Sequence, residues 1–151
     1  MKIQTKYIGD ITIDPKNVIN FANGLPGFND EKKFVLLPIP GTSSGAFQTL
    51  QSTKTAELAF VVTNPYQMYK DYEFRLDQPT IDQLQIESEE DLLILTIVTL
   101  TTPFEKSTIN LKAPIIVNLK QQQGKQYILN NYSFPTKAPL IQEESKQSGG
   151  E

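Results

Sequence analysis

The stretch LLILTIVTL, residues 92–100, is the most apolar run of the chain and decides its fold class. Both alternating faces of a strand built from this run carry apolar side chains, so neither face can be left to water. The run includes Thr96 and Thr99, and it is far shorter than the roughly 20 residues that span a membrane as a helix. It therefore predicts a central strand that other parts of the protein cover, and no membrane anchor.

Short strand-like segments flank this run on both sides and are separated by turn residues. Alternating apolar residues on either side of Gly9 and Asp10 predict a hairpin with a tight two-residue turn. Pro79 predicts a short helix within 77–86, and residues 88–91 resemble a helix cap without a helical run after it. Many short strands with turn signals between them favour a barrel or a sandwich. Further strands are predicted at residues 18–21, 34–37, 46–50, 58–62, 114–119 and 126–129, with 121–124 as a hairpin connection.

The chain has 151 residues, a usual size for one domain with its own core. From Thr136 onward the residues are mainly polar, with Gln, Glu, Ser and Gly, and this composition disfavours packing. We therefore expect a single domain over residues 1–135 and a flexible polar C-terminal tail over residues 136–151.

Cysteine and histidine are both absent from the sequence. Without them the chain has no disulfide, no thiol nucleophile, no thiolate or imidazole metal ligand, and no histidine base for a serine nucleophile. The glycine- and serine-rich loop at 41–45 lacks the lysine of a phosphate-binding loop. These absences predict a protein that is not an enzyme and uses no cofactor and no metal, although chemistry based on carboxylates, lysine or tyrosine stays formally open.

The first residues alternate polar and apolar side chains and contain no uninterrupted apolar stretch, so no export signal is visible. The absence of cysteine fits a reducing compartment. We therefore expect a cytoplasmic protein that does not bind a membrane.

Charge is distributed unevenly along the chain. Between Asp71 and Asp91, which we call the acidic segment, eight acids oppose the single Arg75 and leave a net charge of −7 in a chain of net charge −3. This segment is either a surface that attracts a basic partner and repels nucleic acid, or an ordinary solvated face. A metal site at residues 89–91 is disfavoured, because consecutive carboxylates rarely converge on one ion. The acids that we select as candidates for partner binding are Asp71, Glu87, Glu89, Glu90 and Asp91.

Aromatic residues and methionine lie beside these charges in residues 64–74, a composition enriched at protein interfaces. The three large side chains of 72–76 alternate as in a strand and are expected to point inward. Tyr66, Met68 and Tyr69 follow a turn and have the better chance of exposure. Phe104 comes directly after the apolar run of residues 92–100. These candidates for partner binding, for which core packing is the alternative, are Tyr66, Met68, Tyr69 and Phe104.

Three blocks of sequence are similar to one known family. They are FANGLPGF at residues 21–28, FVVTNP at 60–65 leading to Tyr72, and NLKAPIIVN at 110–118, and residues 124–126 fit the same pattern. In this order they resemble the bacterial flagellar assembly factor FliW family, over nearly all of the chain before the tail. The resemblance implies a compact antiparallel β-barrel-like fold. We therefore predict an all-β protein, a small antiparallel β-barrel-like domain with one or two short helical turns.

The resemblance also implies a noncatalytic role with two protein partners in the cytoplasm. These are flagellin and the translational regulator CsrA, an RNA-binding homodimer that represses flagellin synthesis. Once flagellin is exported, the freed factor captures the regulator and relieves repression. We expect a monomer when the protein is free, and no direct contact with nucleic acid. The matching blocks consist of turn residues and buried strand, so no functional residue is transferred from the family.

Two other classes of protein remain as alternatives. A small barrel binds single-stranded nucleic acid when aromatics lie in a basic groove, and residues 103–137 are locally basic, but the sequence has no concentrated stripe of basic and aromatic residues. An enzyme would need two convergent carboxylates in a deep pocket.

Overall fold

A computed structural model describes residues 1–39 and 46–141, so the loop at 41–45 and residues 142–151 of the expected tail lie outside the described residues. The described part contains eleven strands, one α-helix and four 3₁₀ turns. The strands are β1 (Lys2–Gln4), β2 (Asp10–Thr12), β3 (Ile19–Asn20), β4 (Lys33–Pro38), β5 (Phe47–Ser52), β6 (Ala59–Thr63), β7 (Leu92–Thr99), β8 (Thr108–Ile109), β9 (Ile115–Asn118), β10 (Gln123–Gln126) and β11 (Ala138–Pro139). The helix is α1 (Gln78–Gln83), and the 3₁₀ turns are Pro15–Asn17, Pro65–Gln67, Glu89–Asp91 and Phe104–Lys106.

The strands close into a small barrel in the order β7-β6-β5-β4-β3-β10-β9, and β9 pairs back onto β7. All of these pairings are antiparallel except the short contact between β3 and β10, where Gln123 lies opposite Asn20. The two-stranded extension β8-β11 continues from β7. The prediction of an all-β, barrel-like domain is confirmed.

β7 is the central strand that its apolar sequence predicts. Its first half pairs with β9, its middle with β6 and its last two residues with β8. Leu93, Leu95 and Ile97 pack toward the barrel interior, where fully buried side chains such as Phe21 and Phe34 meet. The side chains on its opposite face pack into a second hydrophobic cluster outside the barrel. Both faces of the run are therefore covered, which is why it needs no alternating pattern.

Two glycines of the family-like blocks are required by close contacts. A Cβ at Gly124 would lie 2.7 Å from ring atoms of Phe21, so only glycine lets β10 pass over this core residue. Gly24 has φ +65°, and its Cβ position would lie 2.6 Å from the carbonyl oxygen of Phe28. These glycines support the barrel core, as the structural interpretation of the blocks predicts.

The N-terminal hairpin forms as predicted, but its turn is longer than expected. Ile3 lies opposite Ile11, and the loop between β1 and β2 spans residues 5–9 instead of two residues. The Thr5 hydroxyl donates to the Gly9 carbonyl at 2.7 Å and accepts from the Ile8 N–H at 3.0 Å. Gly9, at φ +72°, therefore ends the loop and does not begin a tight turn.

Near the C-terminus, two predicted boundaries differ from the structure. β10 begins at residue 123, three residues before the predicted strand, because the Asn118 side chain folds the preceding turn by accepting the N–H groups of Lys120 and Gln121. The domain does not end at residue 135, since β11 pairs with β8 and both Ala138 and Leu140 are buried. The boundary of the tail was therefore placed too early, because a two-residue strand that contains proline gives almost no signal in sequence.

Candidate protein-binding surface

Tyr72 organises a group of aromatic side chains outside the barrel. Only 5% of its surface is exposed, and its ring centre lies 5.6 Å from that of Tyr66, 5.4 Å from Phe74 and 4.8 Å from Phe134. Its hydroxyl donates to the Leu111 carbonyl at 2.6 Å, and burial raises the pKa of this phenol. We call Tyr66, Tyr72, Phe74 and Phe134 the aromatic wall. Residues 72–76 form no strand, but their buried and exposed residues alternate as predicted.

Two further tyrosines hold the backbone next to the aromatic wall. The Arg75 N–H donates to the Tyr132 hydroxyl at 2.9 Å, and the Asp77 N–H donates to the Tyr127 hydroxyl at 3.1 Å. Segments 57 and 50 residues apart in sequence are thereby joined. The loop that carries the acidic residues is therefore held on the surface by hydrogen bonds from its backbone.

Cleft A lies between residues 67–72 and the C-terminal arm, residues 134–139. Its volume is about 790 Å³, and the charged side chains among its lining are Lys70 and Asp71, one of each sign. The Tyr69 hydroxyl donates to the Pro139 carbonyl at 2.5 Å, so the outer edge of β11 is occupied at this position. The lining residues are Gln67, Met68, Tyr69, Lys70, Asp71, Tyr72, Leu111, Phe134, Pro135, Ala138 and Pro139.

Cleft B lies on the other side of the aromatic wall, between α1 and the start of β7, with a volume of about 630 Å³. Tyr66 is 36% exposed at this cleft, and burial together with the charge of Glu73 raises the pKa of its phenol. The charged residues of the lining are Arg75 and Glu89. The lining residues are Tyr66, Phe74, Arg75, Leu76, Ile81, Ile86, Glu89, Leu92 and Ile94.

Helix α1, one side of cleft B, is anchored at both ends. Asp77 caps its start by accepting the Thr80 N–H at 3.0 Å, and the proximity of the side chain and backbone N–H of Thr80 lowers the pKa of this carboxyl. At the other end the Asn118 side chain donates to the carbonyls of Leu84 and Gln85 at 2.8 and 3.1 Å. A six-residue helix would not be stable alone, so these anchors hold it against the barrel.

The structure brings together some of the candidate residues and separates others. Tyr66 and Glu89 line cleft B, whereas Met68, Tyr69 and Asp71 line cleft A. Met68 and Tyr69 are half-buried and pack on the second hydrophobic cluster, so they are less exposed than their position after a turn predicts. The candidates that line neither cleft are Glu87, Glu90, Asp91 and Phe104.

Glu87, Glu90 and Asp91 lie around Glu89 at the edge of cleft B. Glu87 pairs with Lys120 at 3.2 Å, with side-chain exposures of 73% and 59%, so the pair is open to solvent. The Ser88 hydroxyl accepts the Glu90 N–H at 3.2 Å and caps the 3₁₀ turn that presents these acids. Phe104 is a separate feature, 47% exposed, with its ring centre 6.2 Å from that of Phe47.

Sequence reasoning missed the C-terminal side of cleft A. Phe134, Pro135, Ala138 and Pro139 line this cleft, although the last two fall in the expected tail. The short apolar run APLI at residues 138–141 is the signal that could have located this arm. Arg75 was also not selected, although it is the single arginine of the chain and lines cleft B.

In residues 1–39 and 46–141, no three acidic side chains come close enough to hold a metal ion. In the same ranges no helix has the length and apolar character needed to cross a bilayer.

The protein is a small closed β-barrel. Two open clefts lie on its surface, one on each side of the aromatic wall. Comparison with known proteins then gives the family. The sequence model of the FliW protein family matches residues 2–140. The chain belongs to the FliW family.

Individual relatives agree with this assignment. The chain is 50% identical over 140 residues to the flagellar assembly factor FliW of Oceanobacillus iheyensis, covering 93% of this chain and 94% of that protein. It is 45% identical to the flagellar assembly factor FliW of Bacillus subtilis (strain 168), over 93% of this chain and 96% of the relative. A crystal structure of the flagellar assembly factor FliW matches with a TM-score of 0.88 at 43% identity, covering 95% of this chain and 99% of the other.

Proposed function

We propose that this chain is a noncatalytic, cytoplasmic flagellar assembly factor that binds flagellin and the CsrA-type translational regulator. Binding of the regulator relieves its repression of flagellin translation, and flagellin competes by occupying the factor until it is exported. Membership of the FliW family over residues 2–140 supports the role in flagellar assembly.

The observation that supports protein binding is the aromatic wall between two apolar clefts, where Tyr66 is 36% exposed. Tyrosine, arginine and methionine are enriched at protein interfaces, and all three residue types line these clefts. The loop that carries Tyr66 and the acidic segment is pinned by hydrogen bonds to Tyr127 and Tyr132. A surface that is already ordered loses little conformational entropy when a partner binds.

The charge of the acidic segment supports a role of this chain as an antagonist of an RNA-binding partner. Its net charge of −7 attracts a basic protein surface and repels phosphates that approach the same surface. Two of the lysines of the locally basic region 103–137 bond to this segment, Lys120 to Glu87 and Lys125 to Gln83. This arrangement disfavours the nucleic-acid-binding alternative, because those lysines do not form a separate basic groove with the aromatics.

Direct binding and competition with purified proteins test this function. The full chain is titrated by calorimetry with flagellin and with the CsrA-type regulator, and labelled flagellin messenger RNA is then displaced from the regulator by the chain. We expect both proteins to bind, RNA to be released, and added flagellin to restore the complex of regulator and RNA. Absence of binding to both proteins, or salt-sensitive binding of RNA by the isolated chain, would contradict the proposal.

A further inference from the structure

Cleft B exposes apolar side chains from three separate parts of the chain. Ile81 and Ile86 come from α1 and the turn after it, and Leu92 from the start of β7. Each of these side chains is half-buried, so each leaves apolar surface in contact with water. Burying such surface against a partner is favourable by about 25 cal/mol for each Å². The aromatic wall closes the cleft on its third side through Tyr66 and Phe74.

The charges around cleft B are mainly negative. Glu89 lines the cleft, and the exposed acids Glu87, Glu90 and Glu73 belong to the same acidic segment. Within residues 1–39 and 46–141 the one ion pair is that of Glu87 with Lys120, so most of these carboxylates have no lysine or arginine of the described residues paired with them. A partner that presents lysine or arginine is attracted to this rim, and one that presents carboxylates is repelled.

Two other occupants fit cleft B less well. The residues that follow Ile141, QEESKQSGGE, contain three glutamates, one lysine and no large apolar side chain. They have nothing to insert between α1 and β7, and their charge has the same sign as the rim. A second copy of the chain docked symmetrically through the same surface would bring a second acidic segment of net charge −7 close to the first.

From these observations we propose that cleft B is the docking site for a basic segment of the CsrA-type regulator. The segment inserts a large apolar side chain between α1 and the start of β7 and places a lysine or arginine beside Glu89. Arg75 also lines cleft B and repels a cation placed beside its guanidinium group. This repulsion favours one orientation of the segment. The inference rests on the proposed function, because it takes the regulator as the partner.

Matched pairs of variants test the location of the site. Tyr66→Ala removes an exposed tyrosine of cleft B, and Tyr7→Ala removes an exposed tyrosine of the β1–β2 loop. Glu89→Lys reverses a charge of cleft B, and Glu57→Lys makes the same change at an exposed position outside the acidic segment.

We expect Tyr66→Ala to weaken regulator binding by about 10-fold or more, as for a central interface tyrosine. Glu89→Lys should weaken it by about 3–10-fold at low salt and less at high salt, while both controls stay within about 2-fold.

A measurement on the unmodified chain makes the test independent of any folding defect. With isoleucine methyl groups labelled for NMR, added regulator should shift the signals of Ile81, Ile86 and Ile94, and leave that of Ile11 in the β1–β2 hairpin in place. Regulator binding with unshifted signals at these three residues, or with equal effects of Tyr66→Ala and Tyr7→Ala, would overturn the docking site and leave the proposed function standing. A wild-type chain that binds neither the regulator nor flagellin would overturn the proposed function itself.

Discussion

Clefts A and B share the aromatic wall but differ in charge and in how their opposite sides are built. Cleft A is completed by the C-terminal arm, which β11 joins to the sheet, and its lining carries one lysine and one aspartate. Cleft B is completed by the short helix α1, and its surroundings carry the excess of acids. The difference means that the two clefts would favour partners of different charge, while their apolar lining would contribute affinity in both.

The two opposite sides are also held by different means. The C-terminal arm is held by strand pairing and by buried side chains such as Leu140. Helix α1 is held by hydrogen bonds from Asn118 and by the Asp77 cap. The two clefts should therefore respond differently to mutation and to pH, and the predictions below separate them.

The largest effect is expected from Tyr72→Ala, which removes the centre of the wall that both clefts share. Truncation of a buried aromatic side chain typically lowers the free energy of unfolding by about 3–5 kcal/mol. Urea denaturation should show this loss, and binding of the regulator, which we place in cleft B, should weaken. As a control, Tyr72→Phe keeps the ring and loses the hydrogen bond to the Leu111 carbonyl, and should lower stability by about 1–2 kcal/mol. A loss below about 1 kcal/mol for Tyr72→Ala would show that the shared wall is not a packed unit.

The next effect is expected from Asn118→Ala, which releases the side of cleft B that α1 forms. The variant loses two hydrogen bonds to the end of the helix and two that fold the β9–β10 turn, so we expect a loss of about 2–3 kcal/mol. Amide exchange should accelerate at Leu84, whose N–H closes α1, and not at Tyr72.

Asn110→Ala is the matched control for Asn118→Ala. Asn110 accepts the N–H groups of Lys112 and Ala113, a similar arrangement next to Leu111 of cleft A. This variant should loosen the surroundings of cleft A and leave exchange in α1 unchanged. Equal acceleration at both clefts in either variant would contradict the idea that their opposite sides are held independently.

A smaller effect is expected from Phe134→Ala, because Phe134 lines cleft A and is not among the residues that line cleft B. Phe134 is half-buried between Tyr72 and Tyr132, with ring centres at 4.8 and 5.5 Å. Partial burial limits the expected loss of stability to about 1–2 kcal/mol. Affinity for the regulator, which we place in cleft B, should stay within about 2-fold of the wild type. Calorimetric titration of the variant measures this, and a loss of regulator affinity larger than that of Tyr66→Ala would place the regulator in cleft A.

Most strands of the barrel could be predicted from sequence because they carry their own local signal. The run 92–100 is apolar on both faces, and β4 to β6 are rich in large apolar residues between glycine and proline. β11 carries no such signal, since its two residues become a strand only by pairing with β8. β10 is polar in sequence, and its position is set by the turn at Asn118 and by the contact of Gly124 with Phe21.

The candidate site was predictable only in part, for the same reason. Tyr66 and the acidic segment were selected by local composition. The partners that shape the clefts, Phe134 and Tyr132, come from more than 50 residues away in sequence, as the hydrogen bond from Arg75 to Tyr132 shows. Contacts of this range depend on the closed barrel, and no local pattern in a single sequence contains them.

The smallest effect concerns pH and is restricted to cleft B. The proximity of the side chain and backbone N–H of Thr80 holds the pKa of Asp77 below its ordinary value of 3.8. A carboxyl with a lowered pKa in the folded state contributes stability above its unfolded pKa, and this contribution disappears as pH falls through the folded value. The cap of α1 should therefore persist at pH 4 and be lost only in stronger acid. Below pH 4, amide exchange in the first turn of α1 should accelerate, while the C-terminal arm of cleft A, which has no such cap, stays protected.

The control variant is Asp77→Asn. Its side-chain amide oxygen still accepts the Thr80 N–H without titrating, so this variant should remove the pH dependence and keep the helix. If the acceleration persists in Asp77→Asn, another group controls the acid response of α1, and the contrast between the two clefts does not depend on this cap.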